Sequence, residues 1–320
     1  MFGFDPAKVT PDDPLPKRLW AFSVERFPLL KHGVLIAAYV SSNQFLAHAL
    51  EGDADKVLFS VESLVGFLVI FGFFLHLRVF DEHKDYDEDC IHHPDRVLQR
   101  GVVTLTELKV LGGVAIAVQL VLCWLHSPGA LYAWLIAFGF SLLMLVEFFC
   151  GKWLEKRFIL YATSHLMVMP LLALVVYGIA TGNPPWETPP WYWVYAFVGF
   201  FVMLNWEISR KIRAPEQEVD GLDSYTKQFG TYGAAWAVLG VRVLDTALVA
   251  LVGWHLDLSW WFYAALVALF VVTLAGFVSY RRHPSPKNAD RMEDYAGLYI
   301  VAFDVIVAVA IAHTLGFALM

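Results

Sequence analysis

The stretch Asp81-Glu82-His83-Lys84-Asp85-Tyr86-Asp87-Glu88-Asp89 comes directly after a long apolar run, and its reading decides the rest of the chain. Asp81, Asp85 and Asp89 are spaced by four, so on a helix they lie on one face, one turn above another. Three carboxylates so placed repel each other unless a cation sits between them. At the end of a membrane helix, this pattern points to a divalent metal holding a phosphate-bearing substrate at the bilayer surface. The plain alternative is a solvated, mixed-charge loop. The four-residue spacing and the position at a helix end favour the site.

The surrounding chain sets the stage for that reading. It has 320 residues, 58% of them hydrophobic and 16% aromatic. Apolar stretches of the length a helix needs to cross a bilayer recur at 29–50, 57–80, 105–126, 129–149, 158–180, 190–209, 232–253, 258–280 and 295–318. In lipid, every backbone polar group must be satisfied within its own segment, so spans of this kind are helices. The expectation is an all-α, polytopic membrane protein with nine transmembrane helices around a central cavity open to lipid. Residues 1–28 are polar and contain prolines, which reads as a cytoplasmic lead-in and not a cleaved signal. Residues 29–320 then form a single domain.

The net charge of −7 averages two unlike faces. With the N-terminus inside, every loop Lys or Arg except Lys56 falls on the inner side. That bias predicts a cytoplasmic N-terminus and site, with the C-terminus outside. Nothing in the charge pattern calls for a nucleic-acid partner. Cys90, Cys123 and Cys150 have no paired spacing and read as free thiols.

Two inner loops stand out, 81–104 after the second span and 210–231 after the sixth. The first carries Arg96 and Arg100, four apart, whose planar donor forks suit phosphate oxygens. Its acids suit Mg²⁺, which takes oxygen ligands and shares them with substrate phosphates. Beside the second loop, Asn205 and Glu207 lie just inside the sixth span, followed by Arg210, Lys211 and Arg213. Glu216, Glu218, Asp220 and Asp223 offer further carboxylates. Lys152, Lys156 and Arg157 mark a third inner loop, which positive-inside topology explains equally well. Within the spans, Arg242 and Asp245 read as a structural ion pair. Asp304 is a neutral acid or pairs with Arg242 or Lys109. Asn43 and His165 are candidates to line a cavity, whereas Glu62 and Glu147 read as buried hydrogen-bonding residues. His92-His93 alone is weak evidence for a metal.

These loops resemble those of the UbiA family of intramembrane prenyltransferases, which has nine transmembrane helices. The family carries Asn-Asp-x-x-Asp-x-x-x-Asp after helix two and a second aspartate-rich motif after helix six. Asp81 stands at its Asn and Glu82 at its first Asp, while Asp85 and Asp89 match the other two. Arg96-Val97-Leu98-Gln99-Arg100-Gly101 resembles its Arg-Pro-Leu-x-x-Gly. In the second loop Glu207 stands at the first Asp, but Lys211 stands four residues on, where the family has its second. Gly221 and the run from Ser224-Tyr225 to Gly230 resemble the end of that motif.

The resemblance implies Mg²⁺ held by Asp81, Asp85, Asp89 and Glu207, with Glu218 as a further ligand. It implies catalysis through Asp85, Asp89 and Glu207. Substrate contacts would come from Arg96, Arg100, Asn205, Arg210, Lys211, Lys152, Tyr225 and Asn43. The reaction implied is transfer of an isoprenyl group from its diphosphate to a small aromatic or lipid-like acceptor. Rival readings are a terpene cyclase on the same scaffold, phosphoribosyl transfer to a polyprenyl phosphate, and a transporter. Acids clustered at one face argue against the transporter, whose charges belong at the bilayer midplane. The Asp-Gly-x-x-Ala-Arg signature of a CDP-alcohol phosphotransferase is missing.

Overall fold

A computed structural model describes residues 4–52, 60–219 and 223–316. Lys56, Asp220 and Gly221 of the sequence reading lie outside the described residues. The described chain is helical throughout. A short helix α1 (Leu15–Arg26) precedes α2 (Leu29–Glu51), α3 (Val61–Lys84), α4 (Tyr86–His92), α5 (Leu105–His126) and α6 (Pro128–Leu145). Then come α7 (Gly151–Leu154), α8 (Phe158–Leu166), α9 (Val168–Thr181) and α10 (Pro190–Arg210). The chain closes with α11 (Tyr225–His255), α12 (Trp260–Arg282) and α13 (Pro286–Leu315).

Local chemistry places the boundaries. Ser60 and Thr104 cap α3 and α5 through reciprocal capping boxes with Ser63 and Glu107. Ser127 caps α6 just ahead of Pro128, whose missing N–H costs nothing at the first helical position. Gly182 closes α9 at φ 76°, a conformation glycine adopts without strain.

Among the described residues, seven helical segments are long and apolar enough to cross a membrane. One of them is α8 and α9 taken together. This is a multi-pass, all-α membrane protein. The other two long helices, α2 and α10, are diluted by polar residues that the bundle buries. These include Ser42, Asn43 and Gln44 on α2, and Asn205, Glu207 and Ser209 on α10. Each apolar stretch of the sequence falls largely within a long helix of the described residues, though α11 and α13 begin well before the stretches at 232 and 295.

In lipid, apolar contact alone does not drive helices together, so close backbone approach and polar contacts matter more. The tightest approach is where α6 crosses α9. A Cβ on Gly129 would lie 2.3 Å from the Asn183 carbonyl oxygen, and one on Gly178 would lie 2.7 Å from the Gly129 oxygen. A second tie is a buried polar chain within the bundle. The Trp134 indole donates to Gln119 Oε1 at 3.1 Å, Gln119 Nε2 lies 3.3 Å from His76 Nδ1, and His76 Nε2 lies 3.3 Å from Ser141 Oγ.

The lead-in is packed against the bundle. Val9, Ala21 and Phe22 share one apolar cluster with Val79, Val97, Leu98 and Leu108. Arg18 forms a two-pronged contact with Glu107 (2.7 and 3.0 Å) and donates to the Val102 carbonyl. The Glu107 carboxylate therefore caps α5 and anchors α1 at once.

Gly129→Ala is expected to cost about 1–3 kcal/mol, because the new methyl meets backbone atoms that cannot rotate away. Gly113→Ala, where a Cβ meets nothing within 4 Å, is expected to cost nothing. Thermal unfolding of the two variants in the same detergent checks the contrast.

Candidate functional site

Helix α3 ends at Lys84, with a bend at Asp85 before α4 begins. The helical register survives that bend. Asp85 N donates to the Asp81 carbonyl at 2.9 Å, Asp89 N to that of Asp85 at 2.8 Å, and His93 N to that of Asp89 at 2.8 Å. Asp81, Asp85 and Asp89 therefore stack one turn apart, as their spacing predicts. All three are half-buried, while Asp87 and Glu88 between them are exposed.

The three carboxylates are not equivalent. Asp89 is held by Arg96 at 2.5 Å, with Arg26 at 3.8 Å. Asp81 and Asp85 form no ion pair among the described residues. Burial pushes the Asp85 carboxyl up to about 6. Neighbouring Lys84 opposes that rise, and the charges of Asp81 and Asp89 add to it. Unmatched negative charge at the rim of an apolar bundle is what a divalent cation relieves.

Glu82, placed by the resemblance in the motif, has a different part. Its side chain is fully buried, receives Arg26 Nε at 2.6 Å and lies 3.1 Å from Arg78 Nε. It ties α1 to α3. Arg100 likewise turns to the lead-in, donating to the carbonyls of Ala7 and Pro6.

At the second loop, Glu207 is buried and gripped by Arg210 (2.5 Å) and Lys211 (2.8 Å). The lysine that replaces the family's second acid supplies in place the positive charge that Glu207 needs. Asn205 spends both ends of its amide inside the protein, donating to the Val238 carbonyl (2.6 Å) and accepting from Arg242 (2.6 Å). Glu218 accepts from the Ser224 hydroxyl, which also caps α11. Tyr225 is buried, and its hydroxyl has no partner among the described residues. Lys152 is exposed on α7. Among the described residues, no three acids, histidines or cysteines group closely enough to hold an ion by themselves. The five carboxylates read as ligands thus do not form one preformed cage, because Arg96, Arg210 and Lys211 neutralise Asp89 and Glu207.

Two loops distant in sequence meet at one end of the bundle through α8. Tyr161 receives Lys84 Nζ at 2.8 Å and donates to Glu147 at 2.8 Å, and Lys84 also pairs with Glu147 at 2.9 Å. His165, one turn on, lies 3.4 Å from Glu147. Phe158, one turn before Tyr161, packs against Tyr225 with ring centroids 4.7 Å apart, the rings tilted by 57°, and sits under Lys211 Nζ at 5.0 Å. Farther round, the Tyr280 hydroxyl donates to the Arg213 carbonyl. The Glu147 contacts depend on an unusual backbone. Glu147, Phe148 and Phe149 all have φ between 49° and 59°, which stops α6 and turns the acid toward Lys84. A lone acid at the end of an apolar run was the sequence signal for this junction.

Two readings of single residues change. Arg242 and Asp245 make no direct ion pair: Arg242 lies over the Tyr299 ring (4.7 Å), and the Tyr299 hydroxyl donates to Asp245 (2.7 Å). Asp304 pairs with neither Arg242 nor Lys109. It accepts from the Ser42 hydroxyl at 2.7 Å and the Tyr195 hydroxyl at 3.2 Å, because α2 and α10 flank it in the bundle. Asn43 and Asp304 both line a narrow cavity with Tyr39, Phe74, Met203 and Phe303. His165 lines a smaller one with Asp81 and Lys84.

The model of the UbiA prenyltransferase family matches residues 33–302. No curated protein matches the chain significantly. Two solved structures share the fold. One, described as a digeranylgeranylglyceryl phosphate synthase in membranes, is 18% identical, with 88% of this chain and 93% of that one covered and a TM-score of 0.58. The other is an apo UbiA homologue from Aeropyrum pernix K1. It is 17% identical, with 86% of this chain and 97% of that one covered and a TM-score of 0.61.

Glu82→Ala is expected to destabilise the fold by about 3 kcal/mol, since it strands two half-buried guanidinium groups. Asp85→Ala removes a group with no partner, so its effect is expected to be within about 1 kcal/mol. Unfolding midpoints of both variants check the contrast.

Proposed function

The chain belongs to the UbiA prenyltransferase family, and we propose that it transfers an isoprenyl group from an isoprenyl diphosphate to a small aromatic or lipid-like acceptor inside the membrane. One observation carries the proposal: the two charged loops are tied through α8 at one end of the bundle, above an apolar cavity. In this reading nine helices cross the bilayer, with the loops and N-terminus on the cytoplasmic side and the C-terminus outside.

The residues fit Mg²⁺ if the substrate completes its shell. Asp81 and Asp85 carry unmatched charge, and Mg²⁺ on one or two carboxylates takes its remaining oxygens from phosphates and water. When bound, the ion offsets charge on the departing diphosphate. Asp89, Glu207 and Glu218 already have partners of their own, Arg96, Arg210 with Lys211, and Ser224.

The chain's own cations do the rest. Arg96, Arg210 and Lys211 are each held by one carboxylate and partly exposed. Their spare N–H groups suit the diphosphate oxygens. The allylic C–O bond breaks and the diphosphate leaves with the electron pair. The acceptor atom then bonds to that carbon and gives up a proton. Tyr39, Phe74 and Phe303 line the cavity below and pack against the isoprenyl tail. Apolar walls keep out water, which would otherwise quench the allylic cation.

A cyclase on the same scaffold remains the second reading, favoured by Lys211 at the place of the second acid. Purified protein incubated with isoprenyl diphosphates of several lengths, with and without Mg²⁺ and aromatic acceptors, separates the two by product mass. An adduct supports transfer. A hydrocarbon formed without acceptor supports cyclisation, and no product in any arm overturns both. In the active arm, Asp85→Ala is expected to lower turnover at least a thousandfold in folded protein. Wild-type turnover in that variant would remove Asp85 from the site.

A further inference from the structure

Tyr195, Gly199, Met203 and Glu207 are spaced by four along α10, so they form one stripe. The first three line the cavity, and Glu207 follows one turn beyond Met203 at the loop end of α10. Gly199 leaves the middle of that stripe open, since a Cβ there would meet only the Tyr39 ring, at 3.8 Å. From Glu207 to Tyr195 the helix descends about 18 Å. The stripe ends at Asp304: the Tyr195 and Ser42 hydroxyls both donate to Asp304 Oδ1. No partner meets Oδ2 among the described residues, although Asp304 is only 6% exposed and lines the cavity. Beneath it the packing is closed. Tyr192 donates to Asn43 and to the Ala173 carbonyl, and it stacks against Tyr177.

We propose that Asp304, with Ser42 and Tyr195, is a polar floor that sets the length of isoprenyl tail the cavity accepts. The inference rests on the proposed function and adds its specificity. An alkyl tail sliding down the stripe gains by burial until it reaches a carboxyl whose second oxygen it can only desolvate. A further isoprene unit must then bend away or stay in lipid. Affinity is therefore expected to rise from geranyl to farnesyl diphosphate and to stop rising at geranylgeranyl diphosphate.

Two substitutions move the limit in opposite directions. Asp304→Ala lowers the floor and is expected to improve geranylgeranyl diphosphate binding at least fivefold relative to farnesyl. Gly199→Leu plugs the stripe and is expected to weaken farnesyl diphosphate at least tenfold relative to geranyl. Asp304→Asn keeps the bulk and an accepting oxygen, so it retains the wild-type preference. Dissociation constants of the three diphosphates are measured in nanodiscs for each variant, with unfolding midpoints to confirm folding. Equal shifts for all three donors in both Asp304→Ala and Gly199→Leu would overturn the floor while leaving the prenyl-donor reading intact. Failure of wild-type protein to bind any of the three would overturn that reading, and the floor with it.

Discussion

Carboxylate charge beside an apolar bundle has to be met by something positive, and the way this chain meets it organises the whole molecule. Glu82 is met by Arg26 and Arg78, Asp89 by Arg96, Glu147 by Lys84, and Glu207 by Arg210 and Lys211. Each pair links segments or stiffens a helix end. Asp81 and Asp85 are the exceptions within the stacked row, and the raised Asp85 carboxyl records the cost of leaving them so. Fixed pairs build the rim, and among the described residues Asp81 and Asp85 are left without an ion pair, which is why we propose that a cation binds there.

That rim needs a support, and the lead-in and α8 supply it. Arg18, Arg26 and the Pro6–Ala7 backbone hold the segment after the first motif from one side. Tyr161 and Phe158, one turn apart on α8, touch the first and second loops respectively. Below this junction, α2, α10 and α13 enclose the narrow cavity, and their polar residues turn inward where lipid cannot reach them.

Much of this was legible in the chain. Apolar runs mark where the long helices lie, though α11 and α13 start seven and nine residues earlier than their runs, and the four-residue spacing of Asp81, Asp85 and Asp89 correctly implies one stacked row. Other features were not legible, for a common reason: they are pairings across elements. Asp304 looked partnerless because Ser42 is 262 residues away in sequence. Arg242 and Asp245, three apart, looked like an ion pair, yet Tyr299 from α13 lies between them. Arg100 had the spacing of a phosphate ligand, but the lead-in's carbonyls claim it. Glu82 sat in the motif by alignment and in the core by packing.

By itself, then, the amino-acid order determined what depends on local period and on solvent. That covers an all-helical bundle in lipid, charge gathered at one set of loops, and an acidic row with one-turn spacing. Hydrogen-bond closure within each span and helical geometry suffice for these. Only the tertiary structure decided which acids are spoken for and which stay unmatched, and that the two loops share a junction on α8. It also decided that the cavity stripe ends on Asp304. Those outcomes depend on which side chains meet across helices, and the energy of a buried charge is set by that partner and not by its neighbours in sequence.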